Sequence, residues 1–219
     1  MTWSMIFEHL YIVLAACLLS ILIGVPLGLL AYLYPKARAV ILRVVDLLQT
    51  IPSLALLGII MVFLGAGKPT VILGITLYSL LPIVRNTCLG LTEVSPALKE
   101  AARGCGMDQF QRLRLVELPL AMPTIIAGLR MAAIYTVSWA VLASMIGLGG
   151  LGNFVYRGTS SNNNTLILLG AIPAAILAIL FGAIIDVLQK KVTHFLPDRI
   201  LLVLDVQEQR ALCQRVGAG

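Results

Sequence analysis

Glu100-Ala-Ala-Arg-Gly-Cys-Gly-Met-Asp-Gln-Phe-Gln-Arg-Leu-Arg-Leu-Val-Glu-Leu-Pro119 is a charged, partly helical stretch set between two long apolar runs. A chain that is otherwise mostly apolar and keeps such a segment is presenting it to something in water. Ser95-Pro96 just upstream reads as a helix start, with serine as the cap and proline in the first turn. Pro96 to about Ala102 is then one short helix. Gly104 and Gly106 break it and permit a sharp turn. Asp108 caps a second helix, whose basic face carries Arg112 and Arg114, and Pro119 ends that helix before the next apolar run. The reading is a helix–turn–helix lying under a membrane, rigid and exposed enough to transmit force. The plainer alternative is a solvated loop.

Composition places the rest of the chain in the bilayer. Of 219 residues, 59% are hydrophobic and 12% charged, where soluble domains carry about 25% charged residues. A bilayer core needs about 20 apolar residues per helix. Five segments qualify: Leu10–Tyr34, Val40–Leu64, Thr70–Leu91, Pro123–Ile146 and Thr165–Gln189. The expected architecture is an all-α polytopic membrane protein with five transmembrane helices. Lys36, Arg38, Arg43, Lys99, Arg103, Arg112, Arg114, Lys190 and Lys191 all fall on one side if the N-terminus is outside, leaving only Lys68 and Arg157 in the outer loops. The excess of lysine and arginine on the cytoplasmic side sets N-out/C-in. That placement, rather than nucleic acid, accounts for the net charge of +6. The N-terminus does not read as a signal peptide: no basic region opens it, and Glu8 and His9 precede an apolar run too long for one. Cys17, Cys88, Cys105 and Cys213 form no CxxC and no cluster with histidine, so neither a disulfide framework nor a metal site is expected.

Pro26, Pro52, Pro82 and Pro173 lie within the apolar runs. Membrane helices tolerate proline because neighbouring groups satisfy the carbonyls it frees. Kinked helices around a pathway and simple packing irregularity are both open. Gly24-Val-Pro-Leu-Gly28 is a GxxxG and reads as close helix packing. Gln49, Thr50 and Ser53 flank Pro52; Tyr78 and Ser79 lie in the third run; Tyr135, Ser138 and Trp139 lie in the fourth, with Ser144 further out. The spacing of Tyr135, Ser138 and Trp139 puts them on one face. An aromatic face of low charge suits an organic cation, though ordinary packing is the preferred reading. Gln49, Thr50, Pro52, Tyr78, Tyr135, Ser138 and Trp139 are therefore the candidate pathway residues. Asp46, Arg85, Arg130 and Asp186 fall near the cytoplasmic ends of their spans. Arg130 and Asp186 are candidates to pair, with separate reach to the interface the preferred reading.

Two further motifs fail on context. Gly147-Leu-Gly149-Gly-Leu-Gly152 fits the dinucleotide pattern GxGxxG, but an apolar span precedes it and Ile172 stands where an acidic residue is needed. Gly65-Ala-Gly67-Lys68-Pro-Thr70 lacks the spacing of a phosphate loop and lies on the outer side. His9 and His194 have no acidic ligand cluster, and no catalytic constellation is present. The chain is not expected to be an enzyme, and any ATP it uses is handled by a partner.

Glu100-Ala101-Ala102, Gly106, Val116 and Leu118-Pro119 stand in the register of the EAA loop, and the chain thus resembles the permease subunits of bacterial ABC importers. In that family the loop docks into the ATPase, which assigns coupling to Glu100, Ala101, Ala102, Gly106, Leu118 and Pro119. Gln49-Thr-Ile-Pro-Ser-Leu-Ala-Leu-Leu57, Val84-Arg-Asn-Thr87, Arg112–Pro119 and Ile146–Gly152 are similar to the osmoprotectant branch, which imports glycine betaine, choline, carnitine or proline betaine. The resemblance covers most of residues 1–195, the expected permease domain, with its coupling loop at about 93–119. Residues 196–219 are the expected cytoplasmic tail, peripheral to the membrane or partly disordered. It implies a type I importer (MetI-like) permease fold in the bacterial cytoplasmic membrane. It also implies ATPase subunits that bind ATP and magnesium, a second permease subunit, identical or paralogous, and a separate extracytoplasmic solute-binding protein. No cofactor on this chain is implied. Alternating access is the implied mechanism. Val116 replaces the usual isoleucine, a mild departure. A methionine or other amino-acid permease and a membrane scaffold or channel outside the ABC class remain as alternatives.

Overall fold

A computed structural model describes residues 3–143 and 150–216, and the side chains of 4–143 and 150–191. Ser144 and the Gly147-Leu-Gly149 half of the glycine motif lie outside the described residues. The order of elements is α1 (Trp3–Leu33), α2 (Pro35–Thr50), α3 (Ser53–Leu64), α4 (Lys68–Glu93), α5 (Pro96–Gly104), α6 (Gln109–Arg112), a π-helical turn (Leu113–Glu117), α7 (Leu118–Ala143), α8 (Gly152–Ser160) and α9 (Asn164–Val216). Among the described residues, four stretches are long and apolar enough to cross a bilayer: Ser4–Leu33, Lys68–Glu93, Gln109–Ala143 and Asn164–Lys191.

The expected second span departs from a simple helix. Val40–Leu64 is divided between α2 and α3, which meet at 99°. Pro52 is the cause. Its ring disfavours helical backbone in the residue before it, and Ile51 accordingly sits at φ −73°, ψ 127°. Pro26 and Pro82, by contrast, remain inside α1 and α4. A proline inside a helix frees the carbonyl four residues earlier. For Pro82 that carbonyl belongs to Tyr78, and it accepts a hydrogen bond from Gln49 Nε2 at 2.6 Å. The α2 side chain thus repairs the gap in α4, which lets α4 run on uninterrupted.

α4 is the centre of the packing: α1 lies along one side of it and α7 along another, while α9 packs on α7 and α8 on α9. Small residues set the distances. A Cβ on Gly28 would fall 2.5 Å from Thr87 Cβ, and one on Gly128 would fall 2.5 Å from Asn86 Cβ and 2.7 Å from Pro82 O. The GxxxG at Gly24–Gly28 is therefore a packing seam, as its sequence suggests. Polar bonds tie the same helices: Ser20 Oγ donates to Thr76 O at 3.3 Å, and Ser79 and Thr136 share a hydrogen bond of 2.9 Å. At the N-terminal end of α4, Lys68 Nζ pairs with Glu8 of α1 at 2.8 Å.

Gly128→Ala should lower the thermal midpoint of the detergent-purified protein, with a cost on the order of 1–3 kcal/mol, because neither the Pro82 backbone nor Asn86 Cβ can rotate away. Gly58→Ala is the control, since a Cβ there meets nothing within 4 Å. Equal midpoints for the two variants would refute this account of the α4–α7 contact.

Candidate functional site

The hairpin is built from local chemistry. Ser95 occupies the cap position of α5 with Pro96 at its first turn, but the serine hydroxyl makes no cap bond. The Ser95 carbonyl instead accepts from Leu98 N and Lys99 N at 3.1 and 3.2 Å. At the other end Gly106 N donates to Arg103 O at 2.9 Å and Met107 N to Ala102 O at 3.1 Å. This pair of bonds is a Schellman closure, which requires a left-handed residue just past the helix. Gly106 supplies it at φ +77°. The accompanying apolar contact is present too: Ala102, Met107 and Val116 form one buried cluster, with Ala102 and Val116 fully buried.

Asp108 then opens α6 with a reciprocal cap. Gln111 N donates to Asp108 Oδ1 at 2.7 Å, and Asp108 N donates to Gln111 Oε1 at 3.1 Å. The expected second helix is real but does not stop at Pro119. It widens into the π-helical turn and flows into α7. Leu118 N bonds to Leu113 O, five residues back. Proline in an α-helix loses a bond and clashes with the carbonyl four residues earlier. The wider turn moves that carbonyl away, so Pro119 sits early in α7 instead of ending a helix. The second arm of the hairpin is therefore continuous with a spanning helix.

Two faces result. Glu100, Ala101, Arg103, Gly106 and Asp108 are exposed, while Leu118 and Pro119 are half-buried at the join with α7. Phe110 is 67% exposed. The sequence reading passed over Phe110; its signal is a large aromatic between two glutamines in a capped polar turn.

The inner face is anchored by a network that no local pattern announces. Glu117 is 1% exposed. Its Oε1 accepts from Arg112 Nε at 2.6 Å and its Oε2 from the Tyr32 hydroxyl at 2.8 Å. Lys99 Nζ donates to Leu91 O at 3.0 Å and lies 5.1 Å from the Tyr32 ring centroid, within cation–π reach. The hairpin is thereby tied to the ends of both α1 and α4. A cavity of about 200 Å³ lined by Tyr32, Leu33, Gln109, Arg112, Leu113 and Glu117 lies beside the network.

Deeper in the spans, the structure brings several of the candidate pathway residues together. Tyr78 is buried and stacks on Trp139 with centroids 4.7 Å apart, and its hydroxyl donates to Ile51 O at the α2–α3 break. Gln49, Pro52, Tyr78 and Trp139 thus form one junction. Thr50 turns its hydroxyl back to Leu47 O. The expected common face of Tyr135, Ser138 and Trp139 divides: Trp139 on its flank turns towards α4, whereas Tyr135 and Ser138 are exposed. The candidate pair of Arg130 with Asp186 forms, and Asp46 and Arg85, which the sequence did not pair, form a second. Arg85 meets Asp46 at 2.7 Å and Arg130 meets Asp186 at 2.6 Å, so the separate reach preferred from sequence gives way to pairing. Among the described residues no group of three or more His, Cys, Asp or Glu is placed to hold a metal ion.

A spanning bundle with an exposed, rigidly capped hairpin between two of its helices has known counterparts. The family model described as the binding-protein-dependent transport system inner membrane component matches residues 5–195. This chain belongs to that permease family. It is 43% identical over 186 residues, 85% of this chain and 86% of the relative, to the glycine betaine/carnitine/choline transport system permease protein OpuCB of Bacillus subtilis. The choline transport system permease protein OpuBB of the same organism is 42% identical over 85% of this chain and 86% of its own length. The osmoprotectant import permease protein OsmW of Salmonella typhimurium is 40% identical over 87% of this chain and 91% of its own length. Among solved structures, an inward-facing conformation of the MetNI methionine ABC transporter is similar with a TM-score of 0.76, 24% identity, and coverage of 88% of this chain and 99% of that one. The fold of this permease is therefore the type I importer (MetI-like) fold, and a scaffold or channel outside the ABC class is set aside.

Proposed function

We propose that this chain is the membrane-spanning permease subunit of an ATP-driven importer of compatible solutes of the glycine betaine, choline and carnitine type. The observation that carries the reading is the hairpin: a Schellman turn and a reciprocal cap fix its shape, its outer face is exposed, and its second arm runs without a break into α7. Similarity to permeases of named osmoprotectant systems supports the cargo class. The chain lies N-out/C-in in the bacterial cytoplasmic membrane. A separate ATPase receives Glu100, Ala101 and the hairpin around Gly106, with Phe110 as an apolar anchor, since buried aromatics dominate such interfaces. ATP and magnesium belong to that ATPase. A second permease subunit completes the pathway, and an extracytoplasmic binding protein delivers cargo from outside.

In the cycle, closure of the ATPase dimer draws the hairpins inward. The network at Glu117 carries the movement to α1 and α4, and the continuous second arm carries it to α7. The membrane halves rock and expose the pathway to the loaded binding protein; hydrolysis restores the inward-facing state.

Likeness to a methionine importer keeps a second cargo in view, but at 24% identity it bears on fold alone. Uptake of labelled glycine betaine, choline and methionine at high osmolarity, in cells with and without this chain, separates the two. Loss of betaine or choline uptake is the expected result. Loss of methionine uptake alone would keep the importer and overturn the cargo.

A further inference from the structure

Two prolines interrupt backbone hydrogen bonding at one level of the bundle, and the two interruptions answer each other. Pro82 leaves the Tyr78 carbonyl without its helical donor, and Gln49 of α2 fills that place at 2.6 Å. Pro52 leaves Ile51 in extended backbone, and the Tyr78 hydroxyl donates to the Ile51 carbonyl. Tyr78 is thus held at both ends by the elbow between α2 and α3, and Trp139 of α7 stacks on its ring. Satisfying the gap at Pro82 would need only the first of these bonds.

The elbow lies deep in the span. At 1.5 Å per residue, Tyr78 stands about 15 Å along α4 from Lys68 and about 22 Å from Glu93, in a hydrocarbon core about 30 Å thick. Thr50 and Pro52 are nevertheless exposed on the surface of the subunit, and no side chain caps the start of α3. Irregular backbone at this depth is not found against lipid; it is covered by protein or lines a water-filled cavity. The uncovered side of the elbow therefore faces the pathway or the partner subunit, where the assembly rearranges as its halves rock.

We infer that Gln49 and Tyr78 are positioning residues for transport: their paired bonds hold the α2–α3 elbow at its 99° bend and so place the wall that carries Thr50 and Pro52. Neither residue has to touch cargo. Pro52 ends α2, but it does not choose the direction in which α3 leaves. The bonds at Gln49 and Ile51 choose it, and Leu56 and Ile60 of α3 pack in one buried cluster with Tyr78 beyond the break. The inference rests on the function proposed above for its uptake readout only.

Gln49→Met removes the donor and keeps the length of the side chain; Tyr78→Phe removes the hydroxyl and keeps the stack. In cells carrying the complete transporter, each should cut uptake of labelled glycine betaine about tenfold, the equivalent of one hydrogen bond. ATP hydrolysis stimulated by the loaded binding protein should continue. Pro82→Ala separates positioning from repair, because it restores the N–H that the Tyr78 carbonyl lacks. Gln49→Met/Pro82→Ala should therefore recover the thermal midpoint and not the uptake. Spin labels at Val44 and Val62, exposed on either side of the elbow, read the bend in a cysteine-free background of the reconstituted transporter. The unaltered elbow should give one short distance, and both single variants a broader distribution reaching toward the roughly 27 Å of a straight helix. Gly28→Ala, which crowds the α1–α4 seam, should lower the midpoint and leave the label distance unchanged. If the double variant regained uptake together with stability, Gln49 would serve the α4 backbone alone, and the inference would be overturned. An unchanged label distance in both single variants would overturn it too. A wild-type transporter that moves no glycine betaine, choline or carnitine would overturn the proposed function, and the label distances would still decide the clamp.

Discussion

Gly106→Val is expected to leave this permease in the membrane at normal levels and to reduce uptake by about tenfold or more, whereas Gly106→Asn should retain most of it. The reason is backbone conformation, not size. A Cβ at position 106 meets nothing within 4 Å, yet the residue sits at φ +77°. For an L-residue that conformation costs roughly 1–2 kcal/mol, least for Asn and most for a β-branched residue. The strain is small against the stability of a spanning bundle, so insertion survives. It is comparable to the Schellman turn, whose two bonds, Gly106 N to Arg103 O and Met107 N to Ala102 O, are each worth about 1 kcal/mol. With the turn relaxed, Met107 leaves the pocket it shares with Ala102 and Val116, and the angle between the two arms is no longer fixed. ATPase activity should then continue without cargo movement, or the ATPase should be lost on purification. Gly106→Ala should fall between Asn and Val. If alanine were silent and only a long side chain such as leucine blocked uptake, the glycine would be serving clearance to a partner, and the backbone account would be wrong.

How far the sequence could be read follows from where each interaction closes. The turn at Gly106 and the cap at Asp108 were legible because their partners lie within a few residues. The long spans were legible from composition. Pro52 was seen as an irregularity, but not as a 99° break, because proline alone does not determine the outcome. Pro82 stays inside α4 with help from Gln49, a side chain on another helix. The fate of Pro119 was misread for a related reason: a π-helical turn absorbs it, and nothing local demands that solution. The role of Tyr32 was invisible, since its partner Glu117 is 85 residues away. Arg130 and Asp186 were legible as candidates because charge is rare in a span, yet only the packing of α7 on α9 decides that they meet. Trp139 illustrates the limit of helical spacing. It shares an arc with Tyr135 and Ser138, but the edge of that arc is already turned towards Tyr78.

Glu117→Leu is expected to have the largest effect on stability of any single change in the hairpin. The Glu117 side chain is 2% exposed and that of Arg112 13%. Removing one member of a buried pair leaves the other charge uncompensated, at a cost of about 3–5 kcal/mol. Here the Tyr32 hydroxyl is stranded as well. The hairpin would detach from α1, and the cavity beside Tyr32 and Leu33 would open to water. The thermal midpoint of the detergent-purified protein should fall, and limited proteolysis should cut within residues 96–117 at protease levels that leave the wild type whole. Glu117→Gln keeps an acceptor for the Tyr32 hydroxyl and loses the charge, so it should fall between the two. A double-mutant cycle with Tyr32→Phe isolates the tyrosine bond. It should report coupling of about 1.5–3 kcal/mol, the range for a hydrogen bond to a charged group. Additive effects would show that Tyr32 and Glu117 do not act together. Movement of the hairpin would then reach the bundle through α7 alone, and Tyr32→Phe should leave uptake untouched. If they do couple, Tyr32→Phe should lower uptake while ATP hydrolysis continues, because the first spanning helix no longer follows the hairpin.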